Sequence, residues 1–394
     1  MTPQDFRALF LLDPETVFLN HGSFGACPRS VFERYQAWQL QLERQPVAFL
    51  DPDRGYGKWM AETRESLAAE IGAKPDDIAG CTNATHGLNI VARSLPLREG
   101  DEILTTRHEY AALEKTWDFV TRLTGARVVF ADIPLPLTEA AQFCDPIIAA
   151  MTERTRVLFL SHITSPTALL FPIEPVVAEA RRRGIFSVID GAHAPGHIPL
   201  DLDGLGSDFY VGNCHKWMMA PKGAAFIHAR VELQHLLHPL VISHGWQTDR
   251  QAPGPFGGTP FVDAMEMQGT RDPSAWLTVP EALRFRRDYL SDGVLQRCSD
   301  LAFATAERIG RMCAMEPISA TAFSAPQMVS IPVPATDALA LQRALHDQHR
   351  IEIPVVPWNG GTYVRLSVQC YNGPDEMDHL VGALAGLLNL TAAA

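Results

Sequence analysis

Between about residue 80 and residue 230, short β-forming runs alternate with helical patterns, and this alternation restricts the fold more than any other feature of the chain. The candidate strands are Glu102–Thr105, Arg127–Ala131, Arg156–Ser161, Phe186–Asp190, Asp208–Gly212 and Ala224–His228. Helices are expected near Ala111–Thr124, Phe143–Met151 and Ile173–Arg183. Strands and helices in this order build a mainly parallel sheet covered on both faces, an α/β fold. Ligands of such sheets collect at the carboxyl ends of the strands. Two strands here end in polar groups: Val188-Ile189-Asp190-Gly191-Ala192-His193, and Gly212-Asn213-Cys214-His215-Lys216-Trp217.

A carboxylate at the end of a buried strand needs a cationic partner, because an unpaired buried charge is costly. An aldehyde cofactor with a basic pyridine nitrogen requires both residues. Lys216 would form a Schiff base with the aldehyde, and Asp190 would keep the ring nitrogen protonated so that the ring acts as an electron sink. The expectation is therefore a site for pyridoxal 5'-phosphate (PLP). The plainer roles are a solvated lysine after a strand, a helix cap at Asp190 and a satisfied structural histidine at His193. His193 is otherwise placed to donate to the cofactor's phenolic oxygen or to carry protons.

Thr82-Asn83-Ala84-Thr85-His86-Gly87 precedes the apolar-periodic Leu88–Ala92 and reads as a helix start. Its free N–H groups and dipole would attract the phosphate, with the Thr85 hydroxyl adding a bond. Asn83 or Thr85 as a simple N-cap predicts the same local sequence. Asn213 and His215 would close the other side of the phosphate. Tyr110, after a strand and a turn, is expected to lay its ring on the cofactor, with ordinary packing as the competing role. Arg365, in an otherwise apolar strand, suggests bidentate binding of a substrate carboxylate, with a structural ion pair as the rival.

The chain of 394 residues is long enough for two domains. The expected division is an N-terminal arm at 1–15 joining a small domain, a large PLP-binding domain at 16–274 and a small C-terminal α/β domain at 275–394. In the last part, helices are expected at Val279–Tyr289, Val294–Cys313, Ala335–His349 and Met377–Leu390, and strands at Met328–Val333 and Tyr363–Val368. Gln251–Thr270, rich in Gly and Pro, reads as a long loop or domain crossing, and the terminal Thr-Ala-Ala-Ala as a frayed end. A net charge of −12 argues against nucleic acid as a partner. The start lacks the order of a signal peptide and no apolar run reaches membrane-spanning length. Seven scattered cysteines without metal-ligand spacing fit free thiols in a cytoplasmic protein, and no metal site is expected.

Taken together, the segments resemble the class V aminotransferase family, fold type I of the PLP enzymes, and within it the isopenicillin N epimerase-like subgroup. The resemblance rests on Phe18-Leu-Asn-His-Gly-Ser-Phe-Gly, Thr82-Asn-Ala-Thr-His-Gly-Leu-Asn and His162-Ile-Thr-Ser-Pro-Thr-Ala. It rests also on Asp190-Gly-Ala-His, His215-Lys-Trp, Gly269-Thr-Arg-Asp and Arg365-Leu-Ser-Val-Gln-Cys-Tyr-Asn. It implies a homodimer with shared sites, in which Thr270 reaches the phosphate of the neighbouring subunit's cofactor. It implies that Asn20, His21 and Ser23 line the substrate side. Ser165 stands where many relatives have an asparagine near the phenolic oxygen, and Asn213 where many have a phosphate-binding serine. The desulfurases of this family carry a nucleophilic cysteine shortly before the strand bearing the carboxylate-binding arginine. Residues 348–361 contain none.

The implied chemistry on a small-molecule amino acid begins with removal of the Cα proton by Lys216. Reprotonation from the opposite face, with Tyr110 or His21 as the second acid, would make the enzyme an epimerase. Loss of a β-substituent would make it a carbon–sulfur β-lyase, and proton transfer to the cofactor an aminotransferase. A non-catalytic relative would be expected to have lost Lys216 or Asp190. A nucleotide-binding enzyme would be expected to carry a Gly-x-Gly-x-x-Gly or Walker-type loop, and none is found.

Overall fold

The computed structural model describes residues 1–249 and 252–390, so the first residue of the expected loop, Gln251, and the expected frayed end at 391–394 lie outside the described residues. Seven strands form the main sheet: β1 (Ile78–Cys81), β2 (Glu102–Thr106), β3 (Arg127–Ala131), β4 (Thr155–Ser161), β5 (Phe186–Gly191), β6 (Phe209–Asn213) and β7 (Ala225–Ala229). Their order is β1-β7-β6-β5-β4-β2-β3. The strands from β2 to β6 run parallel to their neighbours, whereas β7 is antiparallel to both β6 and β1.

The sheet is buried on both faces because successive side chains of its central strands enter different cores. Val157, Phe159, Val188, Phe209 and Val211 pack with the helices Ala84–Ser94 and Ala111–Thr124 through Ile90, Val91 and Trp117. Leu158, Leu160, Ile189 and Tyr210 face the opposite core with Val176, Val177 and Phe226. A smaller C-terminal α/β part holds an antiparallel sheet of β8 (Met328–Val333), β9 (Val355–Trp358) and β10 (Gly361–Ser367), with β10 in the middle. The helices Asp292–Cys313, Ala338–His349 and Pro374–Leu387 accompany it.

Several elements differ from expectation. The antiparallel direction of β7 and the strand β1 were not expected, since an apolar run carries no information about direction. Helices Arg29–Arg44 and Tyr56–Ile71 were also not foreseen; in the first, only Val31 and Trp38 are buried, so its sequence lacks a broad apolar stripe. The expected loop contains a helix, Pro260–Glu266. Thr259 caps it by accepting from the Val262 N–H at 3.1 Å, and Pro260 occupies its first turn. Phe261 to Glu266 are all buried, so no polar face marked it as helical. Among the described residues no helix is long and apolar enough to cross a membrane.

The N-terminal segment returns to the sheet ends. Arg7 lies 3.5 Å from Glu376, and Val17–Phe18 pairs in parallel with Ile351–Glu352. The chain then turns under the loop that follows β6. Gly25 adopts φ +70°, and a Cβ there would lie 2.0 Å from the His215 carbonyl oxygen. Gly25→Ala is therefore expected to destabilise the protein by more than the ~1–2 kcal/mol of the left-handed backbone alone. Thermal unfolding reads this directly, and an unchanged midpoint would contradict the close approach.

Candidate active site

The strand ends β5 and β6 deliver their polar groups to one cavity of about 480 Å³. A larger groove, about 880 Å³, lies along helix Asp292–Cys313 and β8 and contains none of these groups. Asp190 is buried at the end of β5, where its carboxylate accepts from the Ala192 N–H at 2.9 Å. Burial pushes its pKa up, and among the described residues no cation lies within ion-pair distance of it. Lys216 follows β6 by three residues, and its Nζ lies 2.9 Å from His193 Nε2.

The partners of His193 fix where its proton resides. Trp217 Nε1–H, 3.4 Å away, can only donate, so His193 Nδ1 accepts. Burial, followed by the Lys216 charge, holds His193 well below the usual histidine pKa, so the ring is neutral and carries its proton on Nε2. Nε2–H then donates to Lys216 Nζ, which must offer a lone pair. Burial and the Arg365 charge lower Lys216 to about 7, against the opposing pull of Asp190. The geometry and the electrostatics agree on an amine that is largely neutral above pH 7.

A second layer holds this chain of bonds. Trp217 is fully buried and stacks on His197, ring centroids 3.7 Å apart. The Gln327 N–H donates to His197 Nε2 at 3.0 Å, so His197 Nδ1–H donates to the His193 carbonyl at 3.2 Å. Arg286 donates to the Trp217 carbonyl at 2.6 Å. Gly196 has φ +75°, and a Cβ there would lie 2.7 Å from the Trp217 carbonyl. His21 belongs to this layer and not to the substrate side. Its Nδ1 accepts from the Ala26 N–H at 3.3 Å, and its Nε2–H donates to the Lys216 carbonyl at 3.1 Å. It is buried, lies outside the cavity lining and is pushed down to about 3 by burial.

The opposite end of the cavity suits a phosphate. Asn83 caps helix Ala84–Ser94 by accepting from the His86 N–H at 2.8 Å. Asn213 Oδ1 accepts from the Ala84 N–H at 2.8 Å, which turns the Asn213 amide nitrogen away from that helix. Thr85 retains an N–H and a hydroxyl without a partner among the described residues. His215 Nδ1–H donates to the Ala224 carbonyl at 3.4 Å. Thr82, Lys222 and Gly223 also line the cavity, and Lys222 Nζ donates to the Gly25 carbonyl at 2.9 Å. The free donors at this helix start and the unpaired buried carboxylate of Asp190 fit the phosphate and the ring nitrogen of PLP.

The remaining expected residues fall in three places. Tyr110, Ser23 and Ser165 line the cavity. Arg365 stands behind that wall, donating to the Ser165 carbonyl at 2.6 Å, Ser165 Oγ at 3.1 Å and Ser23 Oγ at 2.9 Å, with Nε unpartnered. Asn20 lies outside the lining and donates to Glu352 at 3.0 Å. Thr270 is exposed and away from this chain's own cavity. Ser161, with Glu109 behind it, also belongs to this wall, and no local sequence signal marks either. Ser161 donates to Glu109 through both N–H (2.8 Å) and Oγ (2.6 Å), and burial pushes Glu109 up to about 8.

Two outcomes follow for the cofactor-free protein. Its rate of PLP capture should rise through about pH 7 and level off above, because the amine is already free there; an ordinary lysine would keep gaining towards ~10.4. Trp217→Phe removes a hydrogen bond worth ~1 kcal/mol, so that midpoint should move up by about 0.7 pH unit. A stopped-flow pH series measures both, and a midpoint near that of free lysine, or one indifferent to Trp217, would contradict the tautomer assignment.

The sequence profile of the family described as "Aminotransferase class-V" matches residues 28–380. The isopenicillin N epimerase of Amycolatopsis lactamdurans is 37% identical over 95% of this chain and 96% of its own. A probable chloroplastic L-cysteine desulfhydrase of Arabidopsis thaliana is 29% identical, covering 95% of this chain and 84% of its own. Among solved structures, a C-DES variant with glycine covalently linked to its PLP cofactor superposes with a TM-score of 0.80 at 20% identity, over 98% of this chain and 99% of its own. The structural likeness establishes the shared fold, that of the fold type I PLP enzymes, and the profile with the epimerase similarity establishes the family: the chain belongs to the class V aminotransferases.

Proposed function

We propose that this PLP-dependent enzyme inverts the α-carbon of an amino acid. The observation that carries the reading is the higher, nearly full-length identity to an isopenicillin N epimerase than to a cysteine desulfhydrase. When bound, PLP supplies an aldehyde for covalent attachment and an electron sink for charge at Cα. Lys216, held as a neutral amine by burial and by the His193 Nε2–H, takes the Cα proton. Asp190 holds the proton on the ring nitrogen. Arg365 engages the substrate carboxylate once Ser23 Oγ and Ser165 Oγ release its guanidinium. Tyr110 at the cavity wall is the candidate for returning a proton to the other face.

A carbon–sulfur β-lyase is the second reading, favoured by the desulfhydrase and by the similarity to a hercynylcysteine sulfoxide lyase. Transamination ranks third. A persulfide-forming desulfurase is disfavoured, because no cysteine lies between Cys313 and Cys370 and Cys370 is buried. We also propose a homodimer of the reducing cytoplasm that completes its sites with the partner's loop around Thr270. Phe24, 70% exposed, and Tyr110 leave an uncovered aromatic rim on the cavity.

Proton NMR with a panel of amino acids in heavy water, followed by chiral chromatography, separates the readings. Epimerisation predicts deuterium at Cα, an intact carbon skeleton and appearance of the inverted isomer. Pyruvate or another side-chain fragment would establish the lyase instead. Arg365→Lys should raise KM by about 10- to 100-fold, from the loss of a charge-assisted hydrogen bond, with a smaller change in kcat. Mixing inactive Lys216→Ala and Thr270→Ala chains should restore activity if sites are shared, and no recovery would oppose that part of the reading.

A further inference from the structure

At the far end of the sheet from the cofactor cavity, three potential metal ligands converge. Asp77 precedes β1, Asp203 lies in the short helix Leu202–Leu205, and His228 lies on β7. One ligand atom from each lies within 4.8 Å of the others, and this is the one such cluster among the described residues. His228 pairs in register with Tyr210 and Ile78, whereas Ala225 of the same strand pairs with Asn213 at the cavity. At ~3.4 Å per residue, three residues separate the two places by about 10 Å along β7.

The imidazole is the observation that points to a ligand. His228 is 2% exposed, yet neither ring nitrogen has a hydrogen-bond partner. Nε2 faces Asp203 Oδ1 at 3.9 Å, too far for a hydrogen bond. Among the described residues no Lys or Arg lies within ion-pair distance of Asp77 or Asp203, although Lys74 is near enough for its charge to reach Asp77. Gln234 orients Asp77 by donating to Oδ1 at 2.8 Å, and the same amide donates to the Ala229 carbonyl at 3.1 Å. Carboxylates that ligate metals are commonly oriented by such outer hydrogen bonds.

We propose that Asp77, Asp203 and His228 bind a divalent first-row transition cation. One imidazole and two carboxylates suit Mn²⁺ or Zn²⁺, and two negative charges neutralise the ion. The ion would tie three segments together: the link from helix Tyr56–Ile71 to β1, the helix Leu202–Leu205 and strand β7. The Asp203 N–H already donates to the Gly72 carbonyl at 2.9 Å at the same junction. Its role is a clamp on the sheet, separate from the cofactor chemistry.

Calorimetric titration of chelator-treated holoenzyme with Mn²⁺, and separately with Zn²⁺, tests the site. The expected result is one equivalent per chain and a melting temperature raised by about 3 °C at a hundredfold excess over Kd. His228→Gln and Asp203→Asn should each weaken binding at least tenfold while the bound-PLP absorbance stays unchanged. Asp203 is 43% exposed, so Asp203→Asn serves if His228→Gln does not fold. Absence of stoichiometric binding of either ion, or binding that survives Asp203→Asn undiminished, would overturn the proposal.

Discussion

The hydrogen bond between His193 Nε2 and Lys216 Nζ is the contact on which the site depends. Its direction is set from outside the cavity, because the Trp217 indole can only donate and so leaves His193 one way to be neutral. A lysine next to a donor has to accept, and only the free amine can. Burial works in the same direction, since a low-dielectric environment disfavours the ammonium. Lys216 is thus prepared both to attack an aldehyde and to take a proton. The surrounding layer of His197, His21 and Arg286 holds the backbone on either side of Lys216, and it explains why the segment from His21 to Gly25 crosses so close beneath this loop.

The cavity offers hydrogen-bond donors at a helix start and a buried carboxylate at a strand end, which suits a cofactor bearing an anionic phosphate and a basic ring nitrogen. The phosphate end is the N-terminus of helix Ala84–Ser94, with the Thr85 N–H and hydroxyl turned to the cavity. At the ring end, burial makes Asp190 costly as a lone carboxylate and therefore selective for a cationic partner. Burial pushes Glu109 up to about 8, and the Thr106 hydroxyl and the Ser161 N–H and hydroxyl occupy its carboxyl oxygens, whereas Asp190 accepts only the Ala192 N–H.

Much of this could be read from the sequence where the signal is local. The apolar runs ending in Asp190 and Asn213 marked β5 and β6, and the polar Thr82–Thr85 stretch marked a helix start whose cap is Asn83. What could not be read depends on contacts between distant segments. Nothing around His21 shows that its ring turns inward to the Lys216 carbonyl, because the five-residue turn from His21 to Gly25 folds only against that loop. Trp217 reads as core, and its role as a donor exists only because β5 and β6 are neighbours. Glu109 and Arg365 likewise meet their partners, Ser161, Ser165 and Ser23, across elements. The helix Pro260–Glu266 was hidden for the opposite reason, since complete burial erases the periodicity that reveals a helix.

Two lysines, Lys216 and Lys222, line the cavity, and only Lys216 has the His193 N–H to hold it as a free amine for the aldehyde. Borohydride reduction of the PLP-loaded enzyme followed by peptide mapping tests that assignment most directly. A stable pyridoxyl adduct is expected on Lys216, with Lys222 unmodified. An adduct on Lys222, or a yellow protein whose colour survives borohydride with no adduct on either lysine, would contradict it.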